Sequence, residues 1–176
     1  DTPYLVSDIM SYRPEYCWNY ETGVHLNFFD RDLQIDASAF YIDCRDQQIT
    51  VFPSGMTTGR MMRNAGRTRS AGAEIAVSAT PYRGLQLAVS YGYTNAKFVD
   101  YDDGKRNYDG NYVPYAPQNT FDINAQYRME FSSGIDALVL RVGCSGVGKI
   151  YWDDANTASQ PFYGLLNACL LYTSPS

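Results

Sequence analysis

The chain has 176 residues, 45% of them hydrophobic, which suits one folded domain and decides little alone. Its aromatic content is high, 15% with 16 tyrosines, but the apolar residues are dispersed and no run approaches the ~20 of a transmembrane helix, which excludes a helical membrane protein. A net charge of −5 without a basic stripe leaves no electrostatic footprint for nucleic acid.

At the start, Asp1-Thr2-Pro3-Tyr4-Leu5-Val6-Ser7 lacks the basic residues, apolar stretch and cleavage site of a signal peptide, so the chain is cytoplasmic or begins within a longer protein. Alternation of apolar and polar residues dominates from about Trp18. A first, weaker strand is expected over Tyr20 to Phe28. Clearer ones follow at Leu33 to Tyr41, Ala71 to Ala79, Leu85 to Tyr93 and Phe121 to Met129, with weaker ones at Leu138 to Tyr151 and Phe162 to Ala168. Each of the seven presents one apolar and one polar or small face.

Connection lengths alternate as well. Phe29 to Asp32, Thr80 to Gly84 and Glu130 to Asp136 read as short turns, whereas Asp46 to Arg63, Phe98 to Gln118 and Asp153 to Gln160 are longer and rich in Gly, Asn, Asp, Tyr and Arg. Short turns at one end and long loops at the other are the organisation of outer-membrane barrels. Aromatic residues such as Trp18, Tyr20, Phe28, Tyr41, Tyr82, Tyr93, Tyr151 and Trp152 fall near strand ends, as interfacial girdles require. The apolar face from Leu85 to Tyr93 would cover ~26 Å along the strand, or roughly 20 Å of depth at a ~40° tilt. On the opposite face, Asp36, Glu74, Asp122, Gln126 and Arg128 suit a wet lumen and not a dry core. The expected fold is therefore all-β: an antiparallel up-and-down meander forming an open segment of a large transmembrane barrel.

Cys17, Cys44, Cys144 and Cys169 show no C-x-x-C spacing and have only His25 to join them, which argues against zinc. In a chain neither short nor cysteine-dense they do not suggest a disulfide framework. Residues 169–176, Cys169-Leu170-Leu171-Tyr172-Thr173-Ser174-Pro175-Ser176, break the preceding pattern and resemble a translated sequencing adapter. On that reading the native segment ends near Ala168 with an odd number of cysteines. Gly143 to Lys149 fits G-x-x-x-x-G-K, but Ile150 stands where a phosphate loop needs Ser or Thr, and no helix follows. Asp100-Tyr101-Asp102-Asp103-Gly104 lacks the spaced ligands of a calcium loop. No catalytic constellation can be assembled around His25, and neither an enzyme nor a cofactor is expected.

Several stretches resemble the C-terminal barrel of TonB-dependent receptors. They are Arg13-Pro14-Glu15 leading into Trp18-Asn19-Tyr20-Glu21-Thr22-Gly23; Ala39-Phe40-Tyr41 with Asp46-Gln47-Gln48; Asn64-Ala65-Gly66 with Ser70-Ala71-Gly72-Ala73-Glu74; Tyr91 to Phe98; and Val113 to Thr120. The resemblance covers about Arg13 to Ala168, so residues 1–168 are expected to be a partial barrel of that family. It implies a piece of a barrel of about 22 strands with a plugged lumen, located in the bacterial outer membrane and importing a scarce solute such as an iron–siderophore complex. It further implies contact with outer-membrane lipid, and with the TonB complex through an N-terminal region absent here. Candidate contacts for an extracellular small-molecule ligand are the loop residues Arg60 and Arg63, then Tyr101, Lys105, Arg106, Tyr108 and Tyr112, then Trp152, Asp153 and Asn156, because Arg pairs grip carboxylates or catecholates and aromatic rings stack on a chelate. Two alternatives are a structural or adhesive barrel without a plug, and a soluble β-sandwich binding module with its apolar faces stacked on each other.

Overall fold

A computed structural model describes residues 14–51, 61–131 and 137–173. Seven long strands form one antiparallel sheet in strictly sequential order. They are β1 (Tyr16–Phe28), β2 (Leu33–Val51), β3 (Met61–Tyr82), β4 (Leu85–Asp100), β5 (Asn119–Glu130), β6 (Ala137–Val147) and β9 (Tyr163–Thr173); a two-residue hairpin, β7 (Ile150–Tyr151) with β8 (Ser159–Gln160), lies in the connection between β6 and β9. Among the described residues every extensive strand contact is with a neighbour in the sheet, and no second layer packs on it. That arrangement removes the β-sandwich alternative, which needs two faces stacked about 10 Å apart.

Register shows why the alternation matters. Leu26, Ile35, Val77, Val89, Ile123, Cys144 and Leu166 stand directly opposite one another across all seven strands. One residue away, His25, Asp36, Ala76, Ser90, Asp122, Ser145 and Leu165 form the matching row on the other face. In a membrane barrel the first face would meet lipid and the second would line the lumen. Val24, Val89, Ile123 and Leu140 remain exposed within this segment, as expected of an apolar face whose partner is a bilayer and not another layer of protein. Polar groups on the inner face pair laterally: His25 Nδ1 donates to Asp36 Oδ1 at 2.5 Å, and Arg141 Nε donates to Gln126 Oε1 at 3.0 Å, whose amide in turn donates to Gln86 Oε1 at 3.2 Å.

Turn geometry follows local chemistry. Phe29 and Asp30 both adopt positive φ, near 53° and 52°, and make a single 3-10 turn between β1 and β2. Between β3 and β4, Gly84 sits at φ 88°, with the Arg128 carbonyl in the space a Cβ would occupy. Gly72 has a different reason: the Phe40 ring lies across it on the inner face, so its vacancy is filled by an aromatic neighbour from β2.

Two sequence expectations need correction. Cys17 and Cys44 form a disulfide, which composition argued against. They stand directly opposite in the β1–β2 register, so hairpin folding brings together residues that are 27 apart in sequence. The odd count misled because one pair coexists with a free Cys144. Strand lengths also differ: β2 and β3 run on to Val51 and from Met61, so much of the expected long loop is paired ribbon, while β6 stops at Val147 and Ile150–Tyr151 turn into the small hairpin.

Opposite facing of adjacent residues gives a direct test. Leu87→Arg puts a cation into mid-membrane lipid and should cost ~2–4 kcal/mol, whereas Gln86→Arg, facing the lumen, should be mild. Urea unfolding of the full-length protein from lipid vesicles measures both, and equal costs would mean that the faces are misassigned.

Candidate extracellular binding surface

The long connections at one end of the sheet are built from polar residues whose side chains fold the loops themselves. After Phe98 the chain rises as a narrow hairpin, with Tyr108 N donating to Tyr101 O at 2.8 Å and Gly110 N to Phe98 O at 2.9 Å. Asp103 closes its tip: one carboxylate oxygen accepts from Lys105 N at 2.8 Å and Arg106 N at 2.7 Å, the other from the Tyr108 hydroxyl at 2.9 Å. Burial pushes the Asp103 carboxyl upward, but these hydrogen bonds outweigh it and hold the group below its ordinary range. Gly104, at φ 85°, completes the turn.

The β6–β9 connection is organised by Asp153 in the same manner. Its carboxylate accepts from the Thr157 hydroxyl at 2.5 Å and from Ala158 N at 2.8 Å, and the Thr157 hydroxyl is the main reason its pKa is lowered. Asn156 sits at φ 55°, a left-handed conformation that asparagine tolerates.

These two loops are fastened to each other. Asn156 Oδ1 accepts from Tyr112 N at 2.7 Å while Asn156 Nδ2 donates to Tyr112 O at 2.8 Å, a reciprocal pair that satisfies both backbone groups of one residue. Asn111 Nδ2 donates to Asp154 O at 2.9 Å, and the Tyr101 hydroxyl donates to Asp154 Oδ2 at 3.1 Å. Tyr112 stacks on Tyr151 with centroids 5.5 Å apart and ring planes 11° apart, and Tyr115 meets Trp152 at 5.7 Å. Tyr101, packed between Phe98 and Tyr108, is 7% exposed, and burial followed by the Asp154 carboxylate pushes its phenol well above the usual value.

The structure thus draws Tyr101, Tyr108, Tyr112, Trp152, Asp153 and Asn156 into one cluster, with most of their polar atoms already committed to one another. Lys105 and Arg106 lie exposed at the hairpin tip. Arg63 lies in β3 opposite Ile49, and Arg60 falls outside the described residues. Sequence reasoning left Asp103, Asn111 and Tyr151, which hold the cluster together, out of the candidate contacts. The density of Asp and Asn between Asp100 and Asn111 was the available signal, since these residues stabilise turns through side-chain acceptors.

Comparison with known proteins places this arrangement. A family model described as "TonB dependent receptor-like, beta-barrel" matches residues 4–173. The pesticin receptor of Yersinia enterocolitica is 27% identical over 152 residues, covering 86% of this chain and 21% of that protein. A ferrioxamine receptor of Yersinia enterocolitica is 34% identical over 104 residues, or 59% of this chain and 14% of its own length. Among solved structures, the ferric yersiniabactin uptake receptor FyuA from Yersinia pestis aligns with a TM-score of 0.74 at 24% identity, covering 92% of this chain and 23% of that one. The chain spans about a fifth of the length of the curated pesticin receptor it matches.

Asn156→Ala removes both hydrogen bonds to Tyr112 and leaves a non-glycine residue without a side-chain amide at positive φ. Amide exchange at Tyr112 should accelerate on the order of tenfold to a hundredfold while that of Val89 in the sheet is unchanged; unchanged exchange at Tyr112 would show that the loops are not fastened there. Because the Asp103 carboxyl is lowered by folding, its contribution is complete above about pH 4 and is lost as pH falls through its folded value. The hairpin tip should stay closed at about pH 5 and open only in stronger acid, followed through the Arg106 amide, and Asp103→Asn should abolish that acid step.

Proposed function

We propose that this chain, which belongs to the TonB-dependent receptor β-barrel family, is a wall segment of an outer-membrane importer for a ferric siderophore, coupled to TonB through regions not present in it. The family's barrels lie in the bacterial outer membrane, and the family comprises receptor transporters. What supports the reading here is a single observation: one sheet has a lipid face, a polar face, and its described long loops merged into one cluster at the same end. In a closed barrel such a cluster would stand above the lumen and present a preshaped surface to a solute arriving from outside.

In this reading the ligand meets groups that the loop framework leaves outward. Lys105 and Arg106 at the hairpin tip, with Trp152 at the loop junction, supply charge for carboxylate or catecholate oxygens and a ring for stacking. Tyr101, Tyr108, Tyr112, Asp153 and Asn156 act by shaping that surface. Arg60 and Arg63 remain candidate contacts on the chemistry of a guanidinium pair. Names of similar proteins, the ferrioxamine receptor and the ferric yersiniabactin uptake receptor, favour an iron chelate as the solute class.

Residues Cys169–Ser176 we read as a translated adapter, although Cys169 to Thr173 pair with Arg141 to Ala137 as the end of β9. Sequencing the source locus through codon 168 tests this; the same eight residues in independent reads would refute it.

Expressed as the full-length receptor in a strain lacking its own ferric-siderophore receptors, the protein should restore uptake of ⁵⁵Fe from at least one of a panel of hydroxamate, catecholate and phenolate siderophores. A protonophore should abolish that uptake, and Lys105→Glu with Arg106→Glu should raise the half-saturating concentration by roughly tenfold, as expected for two charge-assisted contacts. Uptake indifferent to the protonophore, or absent for every chelate in a correctly inserted receptor, would overturn the proposal.

A further inference from the structure

One row on the outer face differs from all those below it. Directly opposite one another stand Trp18, Asp43, Arg69, Lys97 and Tyr112. They share the face of Val24, Ile35, Ile75 and Tyr91, so they point outward and not into the lumen. Lys97 lies four residues beyond Tyr93, the last residue of the apolar face of β4. That is ~13 Å along the strand and roughly 10 Å in depth, which is the level of lipid headgroups.

The cations of this row, and Lys149 beside it across the Tyr151–Tyr112 stack, are held ready without being neutralised. Tyr112 and Tyr151 stack, Lys97 Nζ lies 4.8 Å from the Tyr112 centroid, and Lys149 Nζ lies 4.4 Å from the Tyr151 centroid. The ring faces order both ammonium groups while leaving their N–H donors unspent. Arg69, Lys97 and Lys149 make no ion pair among the described residues. Asp43, the acid in the row, is already bound by Arg67 at 2.8 Å and Arg45 at 2.9 Å. Other acids of this rim, Asp46, Asp100 and Asp102, belong to the tier above, around Arg67.

We infer that Arg69, Lys97 and Lys149 seat the phosphate groups of a phosphorylated glycolipid of the outer leaflet. Charge complementarity and depth identify the occupant: unpaired cations facing lipid, just beyond the apolar band, meet headgroup phosphates. The inference rests on placement in the outer membrane and is independent of which solute is imported, so failure of the uptake experiment would not touch it.

Native mass spectrometry of the full-length receptor titrated with diphosphoryl lipid A in detergent tests the site. Replacing Arg69, Lys97 and Lys149 together by Gln should weaken binding roughly fivefold per cation, on the order of a hundredfold in all. The charge-preserving set Arg69→Lys, Lys97→Arg, Lys149→Arg should bind within about threefold of the parent, since a point charge near a phosphate is what is read. Enzymatically dephosphorylated lipid should bind the parent as weakly as the Gln variant binds the phosphorylated form. This arm needs no variant and decides the matter if the Gln variant fails to fold. Equal binding of phosphorylated and dephosphorylated lipid, undiminished binding by the Gln variant, or displacement of the lipid by equimolar inorganic phosphate would each overturn the assignment.

Discussion

Backbone hydrogen bonding in hydrocarbon governs this structure. An amide or carbonyl facing lipid finds no water, and leaving it unpaired costs several kcal/mol. A β-strand can meet that demand only through its neighbours, so each strand between the two edges of the described sheet, β1 and β9, is paired with the strand on either side of it. Sequential antiparallel order is the simplest way to do so with short turns. Once pairing is fixed, side chains must alternate between lipid and lumen, and a slip of one residue would exchange the two faces.

Away from hydrocarbon the same demand takes a different form. The loops have water within reach, yet Tyr112 satisfies both its backbone groups with the Asn156 amide, and Asp103 and Asp153 each gather several donors. Side-chain acceptors there replace the partner strand that the sheet supplies below. Aromatic rings fill the space between, which is why buried side chains such as Phe98, Tyr101 and Ile150 are found in and beside the loops and not along the mid-membrane strands.

How much of this was legible in the sequence depends on the range of the interaction. Leu85 to Tyr93 announced its strand because alternation is local, and the contrast of short turns with long loops carried the topology. The pairing of Cys17 with Cys44 was not legible, since composition carries no information on register and only the β1–β2 pairing sets them opposite. Loop residues were recognised as a group while their roles were not: Asn156 reads as one more polar loop residue until its amide is seen to accept from the N–H of Tyr112, 44 positions away, and to donate to the carbonyl of the same residue. The rows across the sheet, such as Arg69 beside Lys97, likewise exist only once register is known.

Cys17 and Cys44 join β1 to β2 on the inner face, near the outer end of the hairpin whose tight turn lies at the opposite end. The two strands are thereby closed into a covalent ring before the outer membrane is entered, provided the thiols are oxidised in the periplasm, where such bonds form. A ring of this kind cannot be threaded one strand at a time. Insertion must carry β1 and β2 through together as a preformed hairpin, so the order in which this part of the barrel is assembled is written into a single sulfur–sulfur bond.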